Sequence, residues 1–295
     1  MPPHGAVVTM TLMQREFRQV DVFSAESFRG NPVAVVHGAD DMGEEDMQLF
    51  ARWTNLSETT FLLAPADPRA DYRLRIFTPE TELLFGGHPT LGSAHAWLEA
   101  GGRPASADRL VQECGVGLVP LRRTPGAGQD APSQLAFQAP PLIRSGPVDD
   151  ALLDEVAESI DVGRAEIVDA QWADNGPGWI AVEMASAEAV LALAPGRPTR
   201  SIGVVGPYPP GSPEAFEVRA FTPLVAGAGE DPVTGSLNAA LALWLLSAGK
   251  ARAPYTVSQG TVLGRRGRVQ VTTGDDGSVW VGGATRTLIA GTVQL

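Results

Sequence analysis

The sequence predicts a mixed α+β fold made of two similar halves, and three observations support this. Segments with the alternating apolar and polar residues of β-strands recur along the chain, with helical segments between them. One pentapeptide occurs twice with a single change, as Arg-Ile-Phe-Thr-Pro at residues 75–79 and Arg-Ala-Phe-Thr-Pro at residues 219–223. The glycine- and proline-rich stretch 122–133 is typical of a linker. We therefore expect half-domains at residues 16–126 and 127–282.

The first half reads as a pair of strands, a helix, two more strands and a second helix. An acidic residue, Asp40 or Asp41, is the expected N-cap of the first helix. The second helix follows a loop over residues 78–89 and ends before Gly101 and Gly102. The expected strands are residues 20–23, 31–36, 59–63 and 72–77, and the expected helices are residues 41–53 and 91–100.

The second half repeats this order closely enough to indicate a duplicated domain. The expected helices are residues 151–160, 187–193 and 236–248, and the expected strands include residues 165–170, 179–182 and 217–221. Two copies with a long spacing do not fit a solenoid, which needs more and shorter repeats. We expect the last strand, residues 283–295, to return to the N-terminal half-domain, and residues 1–15 to form an extension.

Composition excludes several classes of protein and partner. The 295 residues are 44% hydrophobic and 19% charged, as in folded globular proteins. The net charge is −12 and the chain has no basic run, so we expect no nucleic-acid partner. The single cysteine and the absence of zinc-type Cys/His spacing predict no internal disulfide and no metal. Apolar stretches are too short for a membrane span, so we expect no membrane partner and a cytoplasmic location.

Each copy of the repeat continues into a proline and a Gly-Ser pair just before an apolar helix. His-Pro-Thr-Leu-Gly-Ser at residues 88–93 matches Asp-Pro-Val-Thr-Gly-Ser at residues 231–236. Free N–H groups at a helix start bind anions. Two such starts facing one cleft would hold a small anionic carboxylate despite the acidic charge of the chain, although ordinary helix capping is the alternative.

Four side chains are candidates for chemistry. By the sequence match, His88 and Asp231 take equivalent places in the two copies but differ in their hydrogen-bonding capacity, which predicts two different roles. Glu58, in a polar turn before an apolar strand, is a candidate general acid or base. Ser236 lies outside any nucleophile elbow and is treated as a hydrogen-bond donor. A structural histidine, a helix-capping aspartate and a solvated glutamate are the alternatives.

Five ordered motifs resemble those of the phenazine-biosynthesis-like (PhzF-like) family, within the diaminopimelate epimerase-like fold. The resemblance covers nearly the whole chain and departs from the family pattern at Leu84 and Gly86, where proline and alanine are frequent. The motifs are Asp-Val-Phe with Gly-Asn-Pro-x-Ala-Val-Val (residues 21–36), Asn-Leu-Ser-Glu-Thr (55–59), Arg-Ile-Phe-Thr-Pro through Gly-His-Pro-Thr-Leu-Gly (75–92), Glu-Asp-Pro-x-Thr-Gly-Ser (230–236) and Gln-Gly with Gly-Arg (259–265).

The resemblance implies two pseudo-symmetric domains, each a barrel-like mixed and largely antiparallel sheet wrapped around a central helix. It also implies an isomerase that needs no cofactor and forms a homodimer. Glu58 maps onto the proton-shuttling glutamate of the family, with His88 and Asp231 as its catalytic partners. The substrate-binding residues implied by the same motifs are Gly87, Thr90, Gly235 and Ser236.

Two alternatives to a proton-transferring isomerase remain. One is an amino-acid racemase or epimerase, a reaction that the wider fold performs with two facing cysteines. The only cysteine here, Cys114, lies outside both motifs, so it cannot supply such a pair. The other is a protein that binds small molecules or partners without catalysis.

Overall fold

The computed structural model describes residues 13–107, 109–124, 134–224 and 229–295, and the expected boundary at 126/127 and most of the expected extension lie outside them. The helices are α1 (Glu44–Thr54), α2 (Gly87–Glu99), α3 (Asp150–Ser159), α4 (Ala187–Ala192) and α5 (Gly235–Ser247). The strands are β1 (Gln14–Val22), β2 (Asn31–Val36), β3 (Glu58–Leu63), β4 (Tyr72–Phe77), β5 (Glu82–Leu83), β6 (Arg109–Cys114), β7 (Gly117–Thr124), β8 (Gln134–Gln138), β9 (Arg144–Pro147), β10 (Ile167–Asp174), β11 (Ile180–Met184), β12 (Ile202–Pro207), β13 (Phe216–Phe221), β14 (Glu230–Asp231), β15 (Tyr255–Gln259), β16 (Gly267–Thr273) and β17 (Val279–Gln294).

Eight strands close the first barrel in the order β1, β2, β3, β4, β6, β7, β8, β17 and back to β1. The pairs β2–β3 and β4–β6 are parallel and the others are antiparallel. Helix α2 contacts strands from around this ring and is the central helix. Its side chains Leu91, Ala94 and Ala96 are fully buried, as expected of a helix enclosed by a sheet.

The second barrel repeats the same pattern with β10, β11, β12, β13, β15, β16 and β17, and closes through β8 and β9. Here β11–β12 and β13–β15 are the parallel pairs. Helix α5 packs against β10, β16 and β17, and nearly all its residues are buried, including Leu237 and Trp244. The predicted α+β fold with a barrel-like sheet around a central helix in each half is confirmed.

The two barrels exchange strands where they meet. Strand β8 pairs with β7 of the first barrel, and the chain then continues into β9, which pairs with β10 of the second. Strand β17 begins between β16 and β8 and ends against β1, where Val22 pairs with Thr285 and Gln14 with Gln294. Each barrel is therefore completed by a strand that is continuous with the other barrel: β17 for the first, and β9, which follows β8, for the second.

Two helix starts differ from the sequence-based expectation. Helix α1 begins at Glu44 with Gly43 as its N-cap and no side-chain cap. Asp41 instead pairs with Arg15 at 2.7 Å, and Asp40 accepts a hydrogen bond from the backbone N–H of Ala64, so tertiary partners occupy both expected caps. Helix α2 begins four residues earlier than expected, because Pro89 fits its first turn, where a missing N–H costs nothing. Within the described residues, no helix has the length and apolar character to cross a membrane.

Candidate active site

The N-terminal ends of the two central helices touch each other at glycines. A Cβ atom placed on Gly87, the first residue of α2, would lie 2.5 Å from the Cα atom of Gly235, the first residue of α5. Neither helix has a side-chain cap at this end. The positive ends of two helix dipoles therefore meet, which creates the local positive potential that an anionic ligand requires. The predicted meeting of the two helix starts is confirmed.

The residue equivalence expected from the sequence match is wrong. Gly87 and Gly235 are the true counterparts, and His88 corresponds to Ser236, since each is the second residue of its helix. The match aligned Gly92 with Gly235, but Gly92 lies inside α2, packed against Val33. The connection from strand to helix is longer in the second half, so the similar hexapeptides fall at different distances from the helix start.

Sheet register identifies the counterparts of the two acidic candidates. Ile76 and Ala220 are the second residues of the two copies of the repeated pentapeptide. Ile76 on β4 pairs with Leu83, and Ala220 on β13 pairs with Asp231, so an aspartate in the second half takes the place of a leucine in the first. Thr59 pairs with Phe77 in the first barrel, as Ile202 pairs with Phe221 in the second. The residue before Ile202 is Ser201, so the counterpart of Glu58 is a serine.

Glu58 and His88 lie in direct contact, as the first residue of β3 and the second of α2. Glu58 Oε2 and His88 Nε2 are 3.0 Å apart. Neither atom makes a hydrogen bond with any other group in the described part of the chain. Both side chains are buried, His88 almost completely. The structure thus couples a carboxylate and an imidazole, the pair that general acid–base chemistry uses most often.

Asn31, the first residue of β2, joins Asp231 to this pair. Its amide Nδ2 donates to Asp231 Oδ1 at 2.8 Å and to the carbonyl oxygen of Val233 at 3.0 Å. The same nitrogen lies 3.3 Å from His88 Nδ1. An amide of the N-terminal half therefore links the acid of the C-terminal half to the histidine of its own half, and Glu58, His88 and Asp231 form one connected cluster.

Two further side chains hold Asp231 and the start of α5 in place. Thr234 Oγ1 donates to Asp231 Oδ2 at 2.5 Å. Gln259 accepts from the backbone N–H of Thr234 at 3.0 Å and from Asn238 Nδ2 at 2.8 Å, and its own amide donates to Thr234 Oγ1 at 3.0 Å. The aspartate carboxylate is thus bonded from both sides, which fixes its orientation relative to the cavity.

Burial and mutual charge shift the protonation equilibria of the cluster. Burial lowers the pKa of His88, but the adjacent carboxylates of Glu58 and Asp231 raise it more, so the net direction is upward. Burial and the charge of Glu58 raise the pKa of Asp231 to about 6, against the lowering effects of His88 and of its hydrogen-bond donors. A carboxyl group whose pKa is raised to about 6 in a cleft is typical of a catalytic site.

A cavity of about 30 Å³ lies at this cluster, between the two barrels. Glu58, His88, Asp231 and Ser236 all line it, with the backbone of Gly87 and Gly235. Most of its other walls are apolar or hydroxyl-bearing: Leu83, Phe85, Gly86, Pro89, Pro177, Trp179, Thr222, Leu224 and Thr234. The structure therefore brings together six of the seven candidate residues around one small space.

Thr90 is the candidate that the structure places elsewhere. It is fully buried in α2 and its hydroxyl accepts a hydrogen bond from Gln112 Nε2 at 3.0 Å, within the first barrel. Cys114, the last residue of β6, does not line the cavity, and burial raises the pKa of its thiol. Neither side chain contributes a polar group to the cavity.

Sequence reasoning gave no role to Asn31 or Trp179, although both reach the site. Asn31 stands in one of the five motifs, and its polar side chain at the start of an apolar strand was the available signal. Trp179 follows Asn175, Gly176, Pro177 and Gly178, and only the tertiary structure shows that this loop reaches the start of α5.

The chain matches known proteins over nearly its whole length. The family model of phenazine biosynthesis-like proteins (PhzC-PhzF) matches residues 20–292. A Schizosaccharomyces pombe protein, antisense-enhancing sequence 1, is 37% identical over 297 residues, which cover 95% of this chain and 99% of the relative. The trans-2,3-dihydro-3-hydroxyanthranilate isomerase of Pseudomonas aeruginosa is 35% identical over 269 residues, 85% of this chain and 87% of the relative.

Among solved structures, a PhzF-family phenazine biosynthesis protein of Bacillus anthracis superimposes with a TM-score of 0.77 at 23% sequence identity. The match covers 96% of this chain and 100% of that protein. At this level of identity the likeness concerns the fold, which is the same pair of barrels around central helices.

Proposed function

The chain belongs to the phenazine biosynthesis-like protein family, and we propose that it moves a proton between two carbon atoms of a small unsaturated carboxylate without a cofactor. Several relatives are named isomerases, which confirms the predicted enzyme class. The observation that carries the proposal is the 3.0 Å contact between Glu58 and His88 in a cavity between two helix N-termini. A base and an anion-binding frame are the two parts that such a reaction needs.

Glu58 is the proton carrier in this proposal. Its carboxylate removes a proton from a saturated carbon next to the conjugated system, and the electron pair of the C–H bond moves into that system. The protonated Glu58 then returns the proton to another carbon atom, so one C–H bond breaks, another forms and no electrons leave the substrate. His88 and Asp231 orient the substrate.

The helix starts stabilise the charge that develops during the transfer. As the C–H bond breaks, negative charge spreads onto the substrate carboxylate. The free N–H groups at Gly87 and Gly235 are fixed in place before the reaction, so they stabilise this charge without reorganisation.

The absence of two symmetry-related bases among the described residues distinguishes this proposal from racemisation by equivalent bases of the two halves. The counterpart of Glu58 is Ser201, whose hydroxyl is engaged with Thr222 Oγ1 at 2.9 Å. The counterpart of Asp231 is Leu83, whose side chain has no ionisable group. We therefore place the racemase alternative behind the isomerase with Glu58 as its proton carrier.

The test is proton exchange followed by NMR in heavy water, with trans-2,3-dihydro-3-hydroxyanthranilate and related cyclic unsaturated carboxylates as substrates. We expect isomerisation with deuterium uptake by the wild type, and a loss of about a thousandfold or more in Glu58→Gln, which removes the base but keeps the shape. Glu80→Gln, a change to an exposed glutamate outside the cavity, is the matched control and should keep full activity. Undiminished exchange in Glu58→Gln would refute the assignment.

A further inference from the structure

One loop of the second barrel holds Ser236 at two points. The loop joins β10 to β11 and carries Asn175, whose Nδ2 donates to the backbone carbonyl of Ser236 at 2.8 Å. It also carries Trp179, whose Nε1 donates to the hydroxyl oxygen of Ser236 at 3.2 Å. All three residues are almost fully buried. The position of Ser236 is therefore fixed by neighbours that belong to neither of the two central helices.

The contact with Trp179 determines which hydrogen bonds the hydroxyl of Ser236 can still make. A serine hydroxyl has one proton to donate and two lone pairs, whereas an indole N–H can only donate. Trp179 therefore donates to one lone pair of the Ser236 oxygen, and the hydroxyl proton of Ser236 remains available for another hydrogen bond. Within residues 13–107, 109–124, 134–224 and 229–295, no group accepts this proton in a hydrogen bond. Since Ser236 lines the cavity, a bound ligand is the acceptor that completes the arrangement.

The same tryptophan also shapes the cavity. Its ring lines the cavity with Pro177 and Leu224 from the second half and Leu83 and Phe85 from the first. These side chains offer flat or apolar surfaces and no charge. A ligand that satisfies both features has an anionic acceptor group at Ser236 and a planar apolar body against the tryptophan ring.

We propose that Trp179 is a positioning residue that directs the hydroxyl proton of Ser236 onto the carboxylate of the ligand, and that its ring selects planar unsaturated rings over saturated ones. This inference rests on the proposed function and deepens it by assigning the residue that positions the carboxylate and the ring of the ligand. It concerns binding, so it can be tested without turnover.

The experiment is a double-mutant cycle on benzoate binding, measured by titration calorimetry with Trp179→Phe, Ser236→Ala and the double variant. Each single change removes one partner of the hydrogen bond, and we expect each to raise the Kd by about tenfold. If Trp179 acts through Ser236, the second change adds nothing, and the double variant binds within about twofold of Ser236→Ala. Cyclohexanecarboxylate, the saturated counterpart, should bind the wild type at least about tenfold more weakly than benzoate.

Trp244→Phe is the matched control, because Trp244 is a buried tryptophan on the same helix as Ser236 but does not line the cavity. It should leave the Kd for benzoate unchanged. If Trp179→Phe does not fold, Ser236→Ala alone tests the same hydroxyl, and unweakened binding in it would overturn the proposal. Independent losses that multiply in the double variant, or equal affinity of the wild type for the two carboxylates, would also overturn it. If the wild type does not isomerise the test substrates but the two substitutions remain coupled in benzoate binding, the proposed function is refuted and the role of Trp179 stands.

Discussion

Asn31 shows how one residue combines the two halves of the site. Its side-chain nitrogen Nδ2 donates a hydrogen bond to the carboxylate of Asp231 in the C-terminal half and lies beside the ring of His88 in the N-terminal half. The side-chain oxygen Oδ1 of Asn31 is buried and has no hydrogen-bond partner among the described residues. An unpaired buried acceptor costs free energy that a bound donor would recover. At this scale the site consists of Glu58 and His88 in contact, with Asp231 connected through the asparagine.

The raised pKa of Asp231 predicts a specific dependence of stability on pH. The folded state binds this proton more tightly than the unfolded state, in which the pKa has its ordinary value near 3.8. The stabilising contribution is therefore complete below that value and is lost as the pH rises through about 6. We expect the melting temperature of the wild type, relative to Asp231→Asn, to fall between about pH 4 and about pH 7. A difference that stays constant over this range in thermal unfolding would contradict the prediction.

At the scale of elements, the paired helix starts depend on having no side chain at their contact. The backbones of α2 and α5 approach at Gly87 and Gly235 more closely than any Cβ atom allows. Their φ angles are not in the left-handed region, so close approach and not backbone strain explains these glycines. The close contact between the two helix starts therefore depends on two residues that have no side chain.

Gly87→Ala should separate the two helix starts. The added Cβ atom meets the backbone of Gly235 and Ser236, which cannot rotate away as a side chain would. We expect a loss of about 1–3 kcal/mol in the free energy of unfolding by urea, as in other overpacked cores, together with weaker benzoate binding. Gly291→Ala, at a site on β17 where nothing lies within 4 Å of the new atom, should cost almost nothing. Equal effects of the two substitutions would count against the proposed contact.

The two halves carry the same Arg–Glu ion pair at equivalent positions, buried in the second half and near the surface in the first. Arg219 pairs with Glu230 at 2.7 Å with both side chains buried, while Arg75 pairs with Glu82 at 2.6 Å near the surface. Arg219 also donates to the carbonyl oxygen of Leu193 after α4. In the second half, α4 and its flanking chain have enclosed a pair that stays open to solvent in the first half.

Removing the acid from each pair should therefore have unequal effects. Glu230→Gln leaves a buried guanidinium without its counter-charge and should lower the free energy of unfolding by about 3–5 kcal/mol. Glu82→Gln should lower it by about 1 kcal/mol or less, because water and Glu44 remain near Arg75. Urea unfolding of the two variants compares them directly. Similar losses would show that burial does not decide the strength of these pairs.

At the scale of the whole molecule, the exchange of strands couples the two barrels. The first barrel is closed by the end of β17, and the second by β9, which continues from β8 of the first. Neither ring can open without releasing a strand on which the other depends. The cluster of Glu58, His88 and Asp231 lies between the barrels, so this coupling also preserves the alignment of side chains supplied by different halves.

We expect the two barrels to unfold together. Hydrogen exchange measured by mass spectrometry should give the buried amides of α2 and α5 the same opening free energy, equal to that of global unfolding. The exposed helix α1 is the internal comparison and should exchange earlier, because its outer face, with Leu49 and Trp53, is open to solvent. Separate opening energies for α2 and α5 would show that the barrels are independent units.

The sequence by itself determined the parts of this protein that depend on local order. Alternating strands, an apolar helix after each Arg-x-Phe-Thr-Pro segment and the family motifs gave the mixed fold, the duplication, the isomerase class and the candidates Glu58, His88 and Asp231. The mixed fold and the duplication follow from periodicity and from residue types close together in the chain. The isomerase class and the role of Glu58 come from the resemblance of the sequence motifs to those of a known family.

Only the tertiary structure decided which residues are counterparts and which ones touch. The two similar hexapeptides are not equivalent, because helix α2 begins four residues before the expected start, at Gly87 and not at residue 91. The role of Asn31, the loop that brings Trp179 to Ser236, and the exchange of β8 and β17 all depend on contacts between residues far apart in the chain. Such contacts are selected by packing across the whole molecule, and no pattern within a single segment encodes them.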